Sequence, residues 1–282
     1  MQVITSKHSG FCNGVKRSLK LLDEALMGGS PVFLTGEIVH NTLVQKSCED
    51  RGVKIIGDIT RGSSKSPLLI AAHGATDEAI NFFKKNFKDV IDGTCPVVSK
   101  RKSDISKDVK DGACVILFVK NTAHSEVVTL INNISDEKLH IIQSKGDLDA
   151  FIKNHKDAQS VVVHTQTTFP RKIALEFIET LNEHFDSVDV KSEICMDCLN
   201  RQRDVINHID DVDALIVVGS SHSSNANELT RIAKDKGKDA FIVESSDDID
   251  KDFYKYSSVY VISSASSSES VFEQIIQKLQ NR

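Results

Sequence analysis

The sequence predicts an α/β protein built from three similar parallel-sheet α/β lobes in pseudo-threefold arrangement around a common centre. Three observations carry this. Six short apolar, β-branched runs are each followed by a polar loop and then an amphipathic helical pattern, the signature of parallel α/β architecture. The runs are continuously apolar, as strands buried on both faces are. Cys12, Cys95 and Cys195 share a local context and lie 83 and 100 residues apart, which gives each third of the 282-residue chain one cysteine and two loops. Length alone, at roughly 100–200 residues per domain, suits two domains; the spacing raises this to three lobes, expected over 1–96, 97–193 and 194–282.

Taken in order, the run Pro31–Leu34 leads into a loop ending at His40 and Asn41, and Leu68–Ala71 leads into a loop carrying His73. Val115–Val119 precedes His124 and Glu126, and Val161–Val163 precedes His164 to Thr168. Leu215–Val218 precedes Ser223, Ser224 and Asn225, and Val259–Ile262 precedes the serine-rich stretch Ser263–Ser268. In open parallel sheets ligands bind at the carboxyl ends of the strands, where the following helices aim their free N–H groups. Ser, Thr and Asn are also ordinary helix N-caps. Six such loops, five of them with His, point further, to a site for an anionic ligand. Gly57–Pro67 and Ser245–Asp252 read as loops too short to link domains.

Composition excludes several classes. Net charge is -5, which argues against a nucleic-acid binder driven by a basic surface. No apolar run reaches the ~18 residues of a membrane span, and Met1–Lys7 lacks a signal-peptide core. A cytoplasmic protein is expected, with neither nucleic acid nor membrane as partner. The six cysteines then read as free thiols or metal ligands rather than disulfides.

Cys12, Cys95 and Cys195 each follow a short extended stretch, precede a helix pattern, and have basic residues shortly after them: Lys16 and Arg17, Lys100 and Arg101, Arg201 and Arg203. A helix N-terminus and nearby cations favour the thiolate, so all three thiols are expected to be acidified. Three convergent thiolates can bind zinc or an iron–sulfur cluster. With three cysteines on a four-iron cluster, one iron stays open to act as Lewis acid and electron donor. Cys114 reads as a buried strand residue and Cys48 as a helix position. Cys198 reads as a fourth ligand, a redox partner of Cys195, or a thiol beside the site. His8, His140, His155, His184 and His208 read as surface or structural, and Arg201 and Gln202 as organisers of the Cys195 loop.

These motifs resemble the 4-hydroxy-3-methylbut-2-enyl diphosphate reductase family, the last enzymes of the non-mevalonate isoprenoid pathway. The resemblance covers nearly the whole chain. It is carried by Gly-Phe-Cys-Asn-Gly-Val at 10–15, Gly-Glu-Ile-Val-His-Asn at 36–41, Ala-Ala-His-Gly at 71–74 and Asp-Gly-Thr-Cys-Pro-Val-Val at 92–98. His-Ser-Glu at 124–126, Thr-Gln-Thr-Thr at 165–168, Ile194-Cys195, Asn200-Arg201-Gln202 and Ser223-Ser224-Asn225 continue it. The resemblance implies three lobes around a central iron–sulfur cluster, and reductive loss of the substrate's allylic hydroxyl to give isopentenyl and dimethylallyl diphosphate. It implies Cys12, Cys95 and Cys195 as ligands of a 4Fe-4S cluster. By the same resemblance His40, His73, Ser223, Asn225 and Ser266 hold the diphosphate, with Ser224 as a further candidate, and Glu126 delivers protons helped by His124 and Thr167. No Gly-x-Gly-x-x-Gly fingerprint is present, so electrons are expected from an external carrier of ferredoxin or flavodoxin type. Two segments depart from the family: Cys198 stands where a Thr is usual, and the 263–268 loop lacks the usual Gly and Pro. The alternative is a zinc- or phosphate-binding α/β protein without redox activity.

Overall fold

The computed structural model describes residues 1–39, 41–56, 65–134 and 137–281. Among them are three four-stranded sheets in which every neighbouring pair is parallel. The N-terminal strand is β1 (Gln2–Thr5). One sheet holds β2 (Val32–Leu34), β3 (Val53–Ile55), β4 (Leu68–Ile70) and β5 (Val90–Asp92), in the order β3-β2-β4-β5. The next holds β6 (Val115–Phe118), β7 (Leu139–Ile142), β8 (Ser160–Thr165) and β9 (Ser187–Ser192), in the order β7-β6-β8-β9. The third joins β10 (Ala214–Val218), β11 (Asp239–Val243) and β12 (Ser258–Ser263) to β1, in the order β1-β12-β10-β11.

The three orders are one pattern. Each sheet runs second, first, third, fourth in its own strands, and in the third sheet β1 fills the fourth place. β1 thus completes a sheet of the chain's far end, Val3 pairing with Val259. A short, half-buried strand carries no local signal of which sheet edge it will complete.

The six apolar runs of the sequence are the two inner strands of each sheet. There both faces are covered, as in β6 and β10, whose residues are all buried. The six outer strands escaped the pattern because they are half-exposed. In β9 exposed and partly buried residues alternate, and β3 buries only Val53.

Each fourth strand runs on to a cysteine that starts a helix: β1 to Cys12 and α1 (Asn13–Leu26), β5 to Cys95 and α4 (Pro96–Lys110), β9 to Cys195 and α8 (Met196–His208). Each of these helices packs on the next sheet along the chain. Val15 and Leu22 of α1 join the core of Val32 and Leu34, and Val98 and Ile105 of α4 join that of Val115 and Leu117. Val205 of α8, with Ile209, joins that of Leu215 and Val217. The cysteines thus stand at the junctions between sheets. The helices after the inner strands include α2 (Thr42–Asp50), α3 (Asp77–Asn86), α5 (Ser125–Ile131), α7 (Arg171–Asn182), α9 (Ser224–Asp235) and α10 (Glu269–Gln280), while α6 (Lys145–Asn154) follows β7. No helix among the described residues is long and apolar enough to cross a membrane.

Candidate active site

In every sheet the first and third strands are neighbours, and their connections leave in opposite directions. The crevice at the carboxyl ends of such a pair is where open α/β sheets bind ligands. Three such crevices face one central cavity, partly open to solvent.

Cys12, Cys95, Cys195, His73, His124, Glu126, Thr167, Ser223, Ser224, Asn225 and Ser266 all line this cavity. His40, the remaining residue of the expected set, lies outside the described residues, as do 57–64 of the Gly57–Pro67 loop. The structure adds Thr168, whose hydroxyl donates to Ser224 Oγ at 3.0 Å, and Asp197, a second carboxylate that faces the cavity while accepting from Arg201. The apolar side chains Val15, Ile38, Val39, Val97 and Val98 complete the wall.

The cysteines are held in the same way three times. The backbone N–H of Cys12 donates to the Ala265 carbonyl, that of Cys95 to Ala72 and that of Cys195 to Thr167, at 2.9–3.1 Å. Each acceptor lies in the loop after the third strand of that cysteine's own sheet. Each cysteine is also the N-cap residue of its helix. Its sulfur therefore faces first-turn N–H groups: that of Val15 for Cys12, those of Val97 and Val98 for Cys95, and those of Asp197 and Cys198 for Cys195.

The expectation that all three thiols are acidified is corrected. Burial raises the Cys12 thiol to about 11, above its ordinary 9.0, and raises Cys95 as well. The cost of desolvating a thiolate exceeds what the N–H groups return. Cys195 alone goes down, to about 6, chiefly because the Cys198 thiol donates to it. Cys198 is buried in α8 and is raised as the donor of that pair.

The basic residues after the cysteines act on backbone instead. Arg17 of α1 donates to the carbonyls of Asp92 and Thr94, just before Cys95. Arg101 of α4 donates to those of Thr165 and Glu193, the latter just before Cys195. Arg201 of α8 donates to those of His8 and Gly10, just before Cys12, and to Ser263. Each cysteine helix thereby grips the loop of the next cysteine in a closed cycle. Arg201 is thus structural, but at the loop before Cys12 rather than the Cys195 loop expected of it, and Gln202 binds backbone at Arg171 and Phe169.

Glu126 is 1 % exposed at the start of α5. Its carboxylate accepts the Thr167 N–H at 2.8 Å and the Thr167 hydroxyl at 2.5 Å. Burial nevertheless raises its pKa above the usual 4.5, against the opposing pull of Arg101 and Thr167. His124 caps α5 by accepting the Glu126 N–H on Nδ1, which leaves the proton of the neutral ring on Nε2. The rings of His73 and His124 meet edge to face at 5.1 Å. Across the cavity Asn225 accepts the Ala265 N–H through Oδ1, while its Nδ2 is buried without a partner. Such an orphan donor is costly unless a ligand satisfies it. Ser223 both caps α9 and lines the cavity, so the capping and binding readings coexist. Without the family's Gly and Pro, the 263–268 loop is organised by Ser264, whose hydroxyl meets those of Ser266 and Ser267 at 3.0 and 3.1 Å.

Other candidates fall elsewhere. His164 is fully buried between Asp108 and Ser192, and His222, which precedes Ser223 in the loop after β10, does not line the cavity.

The donor set fits a multinuclear cluster better than one ion. The three cavity cysteines are not among the groups whose ligand atoms converge within 4.8 Å, whereas tetrahedral zinc needs ligands roughly 3.3–3.7 Å apart. Gly14 leaves room between two of them: a Cβ there would lie 2.7 Å from Cys95 Sγ and 3.8 Å from Cys12 Sγ.

Comparison with known proteins agrees with this geometry. Residues 3–280 match the family described as LytB protein. The 4-hydroxy-3-methylbut-2-enyl diphosphate reductase of Pectobacterium atrosepticum is 32% identical over 99% of this chain and 89% of its own length. That of Neorickettsia sennetsu is 29% identical over 100% and 92%. The solved E-1-hydroxy-2-methyl-but-2-enyl-4-diphosphate reductase of Plasmodium falciparum superposes with a TM-score of 0.89 at 26% identity, covering 99% of this chain and 88% of that one.

Proposed function

From the premise that the chain belongs to the LytB family of reductases, an oxidoreductase family of isoprenoid biosynthesis, we propose that it reductively dehydroxylates 4-hydroxy-3-methylbut-2-enyl diphosphate. The products of this reading are isopentenyl and dimethylallyl diphosphate. The observation that carries it is the meeting of three N-cap cysteines, the buried Glu126 with its raised pKa and the orphaned Asn225 Nδ2 in one cavity.

Cys12, Cys95 and Cys195 are the residues that would hold a 4Fe-4S cluster. Such a cluster, when bound, supplies Lewis acidity at an open iron and single electrons, replenished by an external ferredoxin- or flavodoxin-type carrier. The chain's own residues do the rest. Asn225, Ser223, Ser266 and His73 offer neutral donors to a polyanion, as does His40 on the strength of the resemblance; Ser224 is a further donor, and the N-terminus of α9 adds to them. Val15, Val97 and Val98 give the hydrocarbon chain an apolar wall and exclude water. Burial raises the Glu126 pKa and so favours its protonated, proton-donating form. Thr167 fixes both carboxyl oxygens, and His124 lines the same cavity. Loss of the hydroxyl as water and protonation of the reduced allyl fragment both draw on this proton source.

The test is anaerobically prepared protein supplied with reduced dye and substrate, with Cys95→Ser alongside. Wild type is expected to contain iron and turn over, and the variant to lose both. Iron-free wild type, or a fully active variant, overturns the reading.

A further inference from the structure

At the opposite end of the second sheet lies a cluster that the reductase chemistry does not use. Cys114 directly precedes β6, His140 is in β7, and His155 ends α6. Their ligand atoms all lie within 4.8 Å of one another, the only such group among the described residues. We propose that Cys114, His140 and His155 form a second metal site, separate from the cluster, for a thiolate- and imidazole-preferring divalent ion of which Zn2+ is the best match.

The backbone fixes all three residues. The Cys114 carbonyl accepts the Val162 N–H, His140 sits in register with Ile116, and the His155 N–H bonds the Phe151 carbonyl. His155 also hydrogen-bonds that carbonyl through Nδ1 at 2.9 Å, while its ring stacks on Phe151 at 4.3 Å. This bond places the ring proton on Nδ1 and leaves the Nε2 lone pair for a metal, the arrangement that orients metal-bound imidazoles. His184 and His208 make the same bond to the residue four before them, so the bond alone is only a helix-end habit. What sets His155 apart is the His140 ring at 4.4 Å and the Cys114 thiol beside it. The site lies at the carbonyl end of α6, where positive charge is favoured.

Tetrahedral ligation needs the ligand atoms roughly 3.3–3.7 Å apart, so side-chain rotation closes the group by about an ångström. Binding exchanges the Cys114 S–H bond for an S–Zn bond and releases that proton to solvent. All three residues are half-buried, which leaves the fourth position to water. This is a three-ligand site whose role is to tie β6, β7 and the end of α6 together.

The experiment uses cluster-loaded protein equilibrated with a slight excess of Zn2+ and desalted, with zinc and iron both measured. Wild type is expected to keep a zinc ion per chain above its iron. Cys114→Ala and His155→Ala should lose the zinc while keeping iron and activity. Co2+ should give a thiolate-to-cobalt absorption in wild type that Cys114→Ala lacks. Should His155→Ala fail to fold, Cys114→Ala and His140→Asn decide. The site is overturned if wild type keeps no zinc beyond its iron, or if the folded variants keep as much as wild type. Iron content and turnover report on the cluster independently, so failure of either reading is recognisable.

Discussion

Cys12 and Cys195 occupy the same place in the repeat: after a fourth strand, at a helix N-cap, tied by the N–H to the next loop of their own sheet. Yet burial lifts one thiol to about 11, and a neighbouring thiol brings the other down to about 6. The arginines that follow them differ too. Arg17 is exposed and makes two bonds to backbone, whereas Arg201 is 2 % exposed and serves three carbonyls and Asp197. One topology therefore produces a loose junction and a tight one. A helix N-terminus does not set a thiol's protonation by itself; a donor side chain against it does.

The largest expected difference is chemical. In metal-free protein at pH 7, Cys195 should be alkylated on the order of 30–100-fold faster than Cys12, because its much larger thiolate fraction outweighs its lower nucleophilicity. Peptide mapping after brief iodoacetamide treatment measures this, and equal labelling would break the comparison. Cys198→Ala should then slow Cys195 labelling at pH 6–7 and move its pH midpoint above about 6; an unmoved midpoint would mean that Cys198 is not the cause.

The arginines give the next effect. Arg201→Ala leaves three carbonyls without their donor beside the part-exposed Asp197, and at about 1–3 kcal/mol for each buried acceptor left unsatisfied the loss should be about 3–5 kcal/mol. At about 2–4 °C per kcal/mol in a chain of this size, thermal unfolding should fall by roughly 6–20 °C. Arg17→Ala, being exposed, should cost about 1 kcal/mol or less. Comparable melting of the two variants would erase the distinction.

The smallest effect tests whether burial decides for Glu126, as it does for Cys12. Its folded pKa is raised, so its contribution to stability is fully present below the usual 4.5 and is lost as pH rises through the folded value. Glu126→Gln keeps the shape without the charge. It should melt above wild type at pH 8, and the gap should close toward pH 4.5. A gap independent of pH would show that the carboxyl titrates normally.

Much of this was legible in the chain. Inner strands announce themselves because both faces are buried, and the polar loops after them are the walls of the cavity. Asp197 and Thr168 were missed for a shared reason. Both sit beside residues that had drawn attention, Cys195 and Thr167, and only three-dimensional placement shows that the neighbour also faces inward. Acidified thiols were expected from the basic residues after each cysteine, but sequence does not say where a guanidinium points, and these point at carbonyls. The partner of β1 was illegible because pairing between residues 3 and 259 leaves no local trace.

That pairing has a consequence for how the molecule comes into being. During synthesis Gln2–Thr5 emerges first, but the edge it completes is made only when Ser258–Ser263 has followed. Until then the segment carrying Cys12 has no sheet to anchor it, and the ring of three lobes stands open at one seam. Contacts of such long sequence separation form slowly. The last event in assembly should be the closing of that seam, and only a finished ring can present all three sulfurs to a metal source at once.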